Sequence, residues 1–281
     1  MTLQFDSHPP LPRPDETALL STAELRATFL LEDLFQPGEL ILRSTDLDRA
    51  VVGSACPQGD TVLALGGIEA LRTDSFLERR ELGILNLGGT GEVTVGDETH
   101  RLEHLEILYA GRGAGELAFR AVGDAAPVFY LVSYPAHHAY PTRKAGPADA
   151  NVLHLGSKAD ANERTLYQYI YDGGIESCQL VMGYTVIGEG SVWNTMPPHT
   201  HLRRSEVYTY FDVPAEHAVL HLMGEPQETR PLWAHNLQTI LSPAWSVHCG
   251  AGTQPYKFVW AMGGENQAFA DMDGAPITTL R

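Results

Sequence analysis

Residues 194–213 read NTMPPHTHLRRSEVYTYFDV, and three side chains in this stretch decide how the surrounding chain is read. In an extended strand residues i and i+2 share a face, so His199 and His201 project side by side. Pro197 and Pro198 argue against a helix interior here. Glu206 has the opposite parity to His201, and a straight strand would aim it at the other face. A turn or bulge through Leu202–Ser205 brings it back, and Arg203-Arg204-Ser205 suits such a turn. The following Glu206-Val-Tyr-Thr-Tyr-Phe is rich in β-branched and aromatic residues and reads as the next strand. Two strands of one sheet then present His, His and Glu to one space, a donor set suited to zinc, iron, manganese or nickel. An H-x-H pair alone also occurs in solvated loops; the clustered glutamate favours the metal.

Outward from this stretch the text is mostly strand and turn. Gly38–Arg43, Thr61–Leu65, Gly83–Leu87, Glu92–Val95, Leu105–Tyr109 and Val128–Ser133 are short apolar runs between turn residues. The second half repeats the style at Ser177–Val186, Glu206–Phe211, Ala218–Leu222, Gln238–Leu241, Ser246–Cys249 and Lys257–Met262. Many short strands at regular spacing predict a mainly β chain of antiparallel sandwiches or barrels. Helical signal is sparse: Ser21-Thr-Ala-Glu24 resembles a capping box opening a short helix towards Phe35, and a second short helix is expected near Ala161–Ile170. Tyr140–Lys158 is rich in Pro, Gly, Ala and Asp without periodicity. The domain boundary is placed there, dividing residues 1–148 from 149–281.

The bulk numbers restrict the function. A chain of 281 residues fits two domains or one large β-architecture. Its net charge of −16 disfavours nucleic acid and anionic membrane as partners, so an anionic ligand needs a local cationic contact. Cys56, Cys178 and Cys249 are odd in number and widely spaced, which fits a reducing cytoplasm better than a disulfide framework. The opening MTLQFDSHPPLPRPDE has neither a basic segment nor an apolar stretch of the secretory kind, and no apolar run approaches the ~20 residues of a membrane span.

Downstream, a proline turn in Ser242-Pro-Ala-Trp-Ser-Val-His248 precedes a further histidine. H-x-H, a glutamate five residues on, and a histidine after a later proline turn together resemble the cupin pattern. Gly190 lies upstream of the usual glycine, and Trp245 stands where glycine is usual. These departures, with GSVWNTMPPHTH at Gly190–His201, FLERRELGILNLGG at Phe76–Gly89, PAHHAYPT at Pro135–Thr142, QLVMGYT at Gln179–Thr185 and VWAMGGENQAFADMD at Val259–Asp273, resemble one cupin subfamily. That subfamily is the 4-deoxy-L-threo-5-hexosulose-uronate ketol-isomerases, and the resemblance spans nearly the whole chain. Ser205 departs from it, where methionine is usual before the glutamate. The resemblance implies a bicupin with a metal-free N-terminal domain and a C-terminal domain holding one Zn2+ per chain. It implies His199, His201, Glu206 and His248 as ligands, and a homo-oligomer, a hexamer.

The N-terminal half lacks H-x-H. His100 and His104 are at helical spacing on a segment that reads as turn and strand, and a strand would aim His137 and His138 apart. His217, His221 and His235 read as exposed or locally bonded histidines. The reaction the resemblance implies is an aldose–ketose interconversion of 5-dehydro-4-deoxy-D-glucuronate in pectin and uronate catabolism, by proton transfer through an enediolate or by hydride shift. A metal would stabilise the charge that develops on oxygen. Glu206, Tyr184, Tyr208, Lys257 and Glu265 are the candidate bases. Arg203 and Arg204 are the candidate partners of the substrate carboxylate, because the guanidinium fork matches that group; Arg79 and Arg80 are alternatives. Two competing readings are a metal-dependent cupin oxygenase and a non-catalytic sugar-acid-binding cupin. The oxygenase would consume oxygen, and the binding protein would need an output module, of which the sequence carries no sign.

Overall fold

The computed structural model describes residues 3–281. Contacts divide them into two units, one comprising the residues up to His8, Asp33–Ala150 and Tyr169–Val181, the other Pro9–Glu32, Asn151–Gln168 and Met182–Arg281. The chain is mainly β, and among the described residues no helix is long and apolar enough to cross a membrane.

The first unit carries a seven-stranded sheet in the order Leu3–Ser7, Leu40–Ser44, Val51–Ala55, Phe129–Pro135, Arg80–Asn86, Ile107–Ala110 and Arg143–Ala145. Its four-stranded sheet runs Val62–Leu65, Leu117–Ala121, Gly91–Val95, Glu98–Leu102. The pairings are antiparallel apart from Leu3–Ser7, which lies parallel to Leu40–Ser44. Alternate residues of both sheets, among them Leu63, Leu82, Ile84, Val93, Phe119 and Phe129, fill one apolar core. The side chains of that cluster are aliphatic or aromatic. The buried carboxylate of Glu81 is spent on structure. It accepts the backbone N–H groups of Cys178, Gln179 and Leu180 at 2.7–2.9 Å and the Tyr109 hydroxyl at 2.8 Å, which ties residues 178–180 to this unit.

The second unit has a seven-stranded sheet in the order Asn151–Leu155, Arg164–Ile170, Val181–Ile187, Lys257–Gly264, Arg204–Phe211, Gln238–Ser242 and Leu30–Leu31. A three-stranded sheet of Glu228–Ala234, Val219–Glu225 and Cys249–Gly252 and a two-stranded one of His199–Thr200 with Asp273–Gly274 complete it. The helix predicted from the capping box forms over Thr22–Phe29, with both Ser21–Glu24 cap bonds made, and ends before Phe35 because Leu30 and Leu31 pair with Ile240 and Thr239. Arg230 holds the preceding turn by donating to the carbonyls of Thr17, Ala18 and Leu20. The helix expected near Ala161–Ile170 is absent: Arg164–Ile170 is a strand paired with Asn151–Leu155. Thr165, Tyr167, Tyr169 and Ile170 are strand formers, and tertiary pairing outweighs the weak helical periodicity.

Candidate metal centre

The inner face of the larger second-unit sheet is set by register. Glu206 pairs with Met262 and Tyr208 with Trp260, so even-numbered residues of both strands share a side. On the strand from Arg164, the inward residues are Arg164 and Leu166. A cavity of about 210 Å³ is bounded by His199, His201, Glu206, Tyr208, Arg164 and Thr185, with Leu155, Leu166, Met196, Phe258, Trp260 and Met262 among its apolar walls.

His199, His201, Glu206 and His248 converge, with one ligand atom of each lying within 4.8 Å of the other three. Among the described residues this is the one group of three or more His, Cys, Asp or Glu side chains placed to share an ion. His199 and Thr200 form the short strand that pairs with Gly274 and Asp273. The chain turns at Leu202 and Arg203, and Glu206 emerges from the next strand on the same side as the imidazoles. His248 stands just ahead of the strand Cys249–Gly252.

The contacts form a ring. Nε2 of His199 is 3.0 Å from Nε2 of His201 and 3.1 Å from Nε2 of His248, and Oε2 of Glu206 is 3.1 Å from His201 and 2.9 Å from His248. The outward nitrogens show which atoms carry protons. His201 Nδ1 lies 2.9 Å from the Asp271 carbonyl and His248 Nδ1 lies 3.2 Å from that of Ser246. A carbonyl can only accept, so both Nδ1 atoms donate and both Nε2 atoms face the centre as lone pairs. Arg204 Nε, 3.4 Å from the same His201 Nδ1, then meets another donor and forms no bond with it. Lone pairs about 3 Å apart repel unless a cation lies between them, so the donor set fits a metal ion.

Burial pushes His199 down to about 2, so it stays neutral. Tyr208 donates to or accepts from Thr195 Oγ1 at 2.9 Å, and burial, with Glu206 nearby, drives its hydroxyl far up, so it remains protonated. Thr195 takes φ 35°, a strained value for a β-branched residue, and this aims its hydroxyl at Tyr208.

The other sequence candidates fall elsewhere. Lys257 is an odd-numbered residue of its strand, pairs with Asp212 at 2.7 Å and lies over the Phe211 ring. Tyr184 is on the same outer side, stacked on Tyr167 at 4.6 Å. Glu265 is exposed beyond the strand end. Arg203 is engaged by Asp271 and Asp273, and Arg204, 1% exposed, donates to the carbonyls of Ala268, Phe269 and Asp271 at 2.8–3.1 Å. Both arginines bind the segment 268–273 and neither lines the cavity. Arg80 is buried and donates to Ser133 and the Arg49 carbonyl, while Arg79 pairs with Glu78 and the Arg72 carbonyl. His217 and His235 are locally bonded, as expected, whereas His221 is fully buried with Nδ1 2.7 Å from the Tyr210 hydroxyl. Sequence reading missed Arg164. Alternation of Arg164, Leu166 and Gln168 against Thr165 and Tyr167 was the signal that could have found it.

Short antiparallel strands in this topology, with four side chains placed to share an ion, define a cupin-like fold. The chain belongs to the KduI/IolB family, whose pattern matches residues 47–276. It is 49% identical over 272 residues to the 4-deoxy-L-threo-5-hexosulose-uronate ketol-isomerase of Kineococcus radiotolerans, covering 95% of this chain and 97% of the relative. The protein of the same name from Caldicellulosiruptor bescii is 43% identical over 282 residues, the full length of both. Among solved structures, an IolB-like protein of Salmonella typhimurium superposes with a TM-score of 0.62 at 14% identity, covering 78% of this chain and 84% of the other. Oxalate decarboxylase of Lactobacillus farciminis gives 0.57 at 10% identity, covering 80% and 79%. At these identities the superpositions speak to the fold alone.

Proposed function

We propose that the protein is a metal-assisted aldose–ketose isomerase that converts 5-dehydro-4-deoxy-D-glucuronate into 3-deoxy-D-glycero-2,5-hexodiulosonate in the breakdown of pectin-derived uronates. The observation that carries this is the His199–His201–Glu206–His248 ring opening onto a cavity of small-molecule size, in a chain nearly half identical to proteins bearing the isomerase name. The ion we assign to the ring is Zn2+, one per chain, in the C-terminal domain of residues 149–281, with residues 1–148 metal-free. Among the described residues the one group placed to share an ion lies in the second unit, which supports that asymmetry.

When bound, the metal supplies a Lewis acid that stabilises negative charge developing on the substrate oxygens at C1 and C2. The chain supplies the proton handling. Both imidazole contacts of Glu206 use Oε2, so Oε1 lies outside the ring and is our candidate to take the C2 proton and return it at C1. As the proton leaves C2 an enediolate forms. Protonation at C1 and loss of the O2 proton then give the ketone, with O1 protonated. The Tyr208 hydroxyl, kept protonated and held by Thr195, is placed to donate to a substrate oxygen. The apolar walls exclude water from the reactive intermediate and suit a sugar acid whose C4 is a methylene.

The wider setting we propose is cytoplasmic, which the three free cysteines support, and homo-oligomeric, a hexamer, as the family resemblance implies. Metal analysis joined to turnover tests the reading. Purified protein should hold one zinc per chain, lose isomerase activity on chelation and regain it on zinc addition. Full activity in metal-stripped protein, or two tightly held ions per chain, would contradict it.

A further inference from the structure

We propose that Arg164 binds the substrate carboxylate and makes the site selective for sugar acids over neutral sugars. This rests on the isomerase reading for the identity of the substrate but not for the presence of an anion subsite. The protein carries a net charge of −16, so a uronate is repelled at long range and must meet a cation at short range. Arg203 and Arg204 do not serve: their guanidinium groups are held by Asp271 and Asp273 and by three backbone carbonyls. Arg164 is the cation that lines the same cavity as His199, His201 and Glu206.

Its placement follows from register. Leu155 opposite it and Leu166 two residues on both line the cavity, whereas Thr165 between them points the other way and bonds His154. The guanidinium is half-buried and donates through Nη1 to the Asn162 carbonyl at 2.8 Å. That bond uses one of five N–H groups and fixes the plane of the fork, with Nε and Nη2 on its other edges. Asn162 is itself fixed. Its Nδ2 donates to the Met196 carbonyl at 3.0 Å, and its Oδ1 accepts from Ser157 N at 2.9 Å. The same short segment thus orients Arg164 and the Met196–Pro198 approach to His199. Burial lowers the guanidinium's affinity for its proton, and an arginine in that setting still remains charged. A partly desolvated cation in an otherwise apolar cavity gains most from an anionic partner. With its C1 and C2 oxygens beside the histidine–glutamate ring, a linear hexuronate would place its C6 carboxylate elsewhere in the same cavity, whose lining includes Arg164.

The test uses metal-loaded full-length protein with Arg164→Gln and Arg164→Lys, each first checked for unchanged metal content and thermal unfolding. Binding of D-glucuronate and of D-glucose, which differ at C6 in the carboxylate, is measured by calorimetry or ligand-observed NMR, beside steady-state isomerisation. Wild type should prefer the uronate. Arg164→Gln should abolish that preference and lower kcat/KM about 10- to 150-fold, the range for a hydrogen bond to a charged group, mainly through KM. Arg164→Lys should recover part of the loss by restoring charge without the fork. Wild type indifferent to the carboxylate, or Arg164→Gln keeping its uronate preference, overturns the proposal. Arg164-dependent uronate binding by a protein that isomerises nothing would instead uphold the subsite and overturn the reaction.

Discussion

Replacing Arg204 with methionine separates the role the structure gives this residue from the one its sequence position suggests. The side chain is 1% exposed, and its three best bonds run to the carbonyls of Ala268, Phe269 and Asp271. Methionine fills much of the stem's volume but removes every donor, leaving three carbonyl oxygens short of a partner. Leaving a buried acceptor without a partner costs about 1–3 kcal/mol, so a total of about 3–5 kcal/mol is expected. At 2–4 °C per kcal/mol for a chain of this size, the melting temperature should fall by roughly 10 °C. A second effect is local. The Asp271 carbonyl also receives the Nδ1 proton of His201, so freeing this segment loosens one ligand, and loss of such an outer contact typically lowers metal affinity about 10- to 100-fold. Competition with a chromogenic chelator measures that affinity, and differential scanning calorimetry measures the unfolding. Arg203→Ala, whose ion pairs to Asp271 and Asp273 are part-exposed and screened, is the control and should leave metal affinity unchanged. Wild-type affinity and melting temperature in Arg204→Met would refute the anchoring role.

Three further expectations concern the interior of the second unit. His248→Ala should abolish stoichiometric metal by elemental analysis while far-UV circular dichroism stays native, because the imidazole is one of the four corners of the ligand ring and the surrounding sheets are apolar. Tyr208→Phe should retain metal and lower kcat by about 100-fold or more if its hydroxyl handles a proton in the transition state; a loss below tenfold would remove it from that role. His221, pushed down to about 3 by burial, stays neutral in the fold, whereas the unfolded chain takes up its proton near the ordinary value of 6.5. The unfolded state therefore binds more protons between those limits, and the stability contribution present above about 6.5 is lost as pH falls towards 3. The loss is about 1.4 kcal/mol per pH unit, and His221→Leu should flatten that slope in urea midpoints taken between pH 6.5 and 5.

The features legible in the sequence are those fixed by nearest neighbours along the chain. The same-face projection of His199 and His201, the turn that returns Glu206, and the capping box at Ser21 each depend on a few consecutive residues. Features set by distant partners were not legible. The acceptors that engage Arg203 and Arg204 lie on the 268–273 segment, far along the chain, so two arginines beside the ligands read as free cations. Lys257 and Tyr184 sit on alternating strands, and alternation says that neighbours face opposite ways without saying which way is inward. Pairing with Arg204–Phe211 decides this, sending Tyr208 and Trp260 to the cavity and Lys257 away from it. Arg164 was hidden by a helical reading of Ala161–Ile170, since the parity that aims it at the cavity exists in a strand alone. The short strand Leu30–Leu31 owes its existence to Gln238–Ser242, a partner that no local signal announces.

The most direct test of the account is one proton NMR time course, with purified metal-loaded protein mixed with 5-dehydro-4-deoxy-D-glucuronate. The account predicts that the aldehyde and aldehyde-hydrate C1 signals disappear while the hydroxymethyl signal of the ketose grows in equal measure, and that chelator-treated protein leaves the spectrum unchanged. An unaltered aldehyde signal in the presence of fully metallated protein would contradict it.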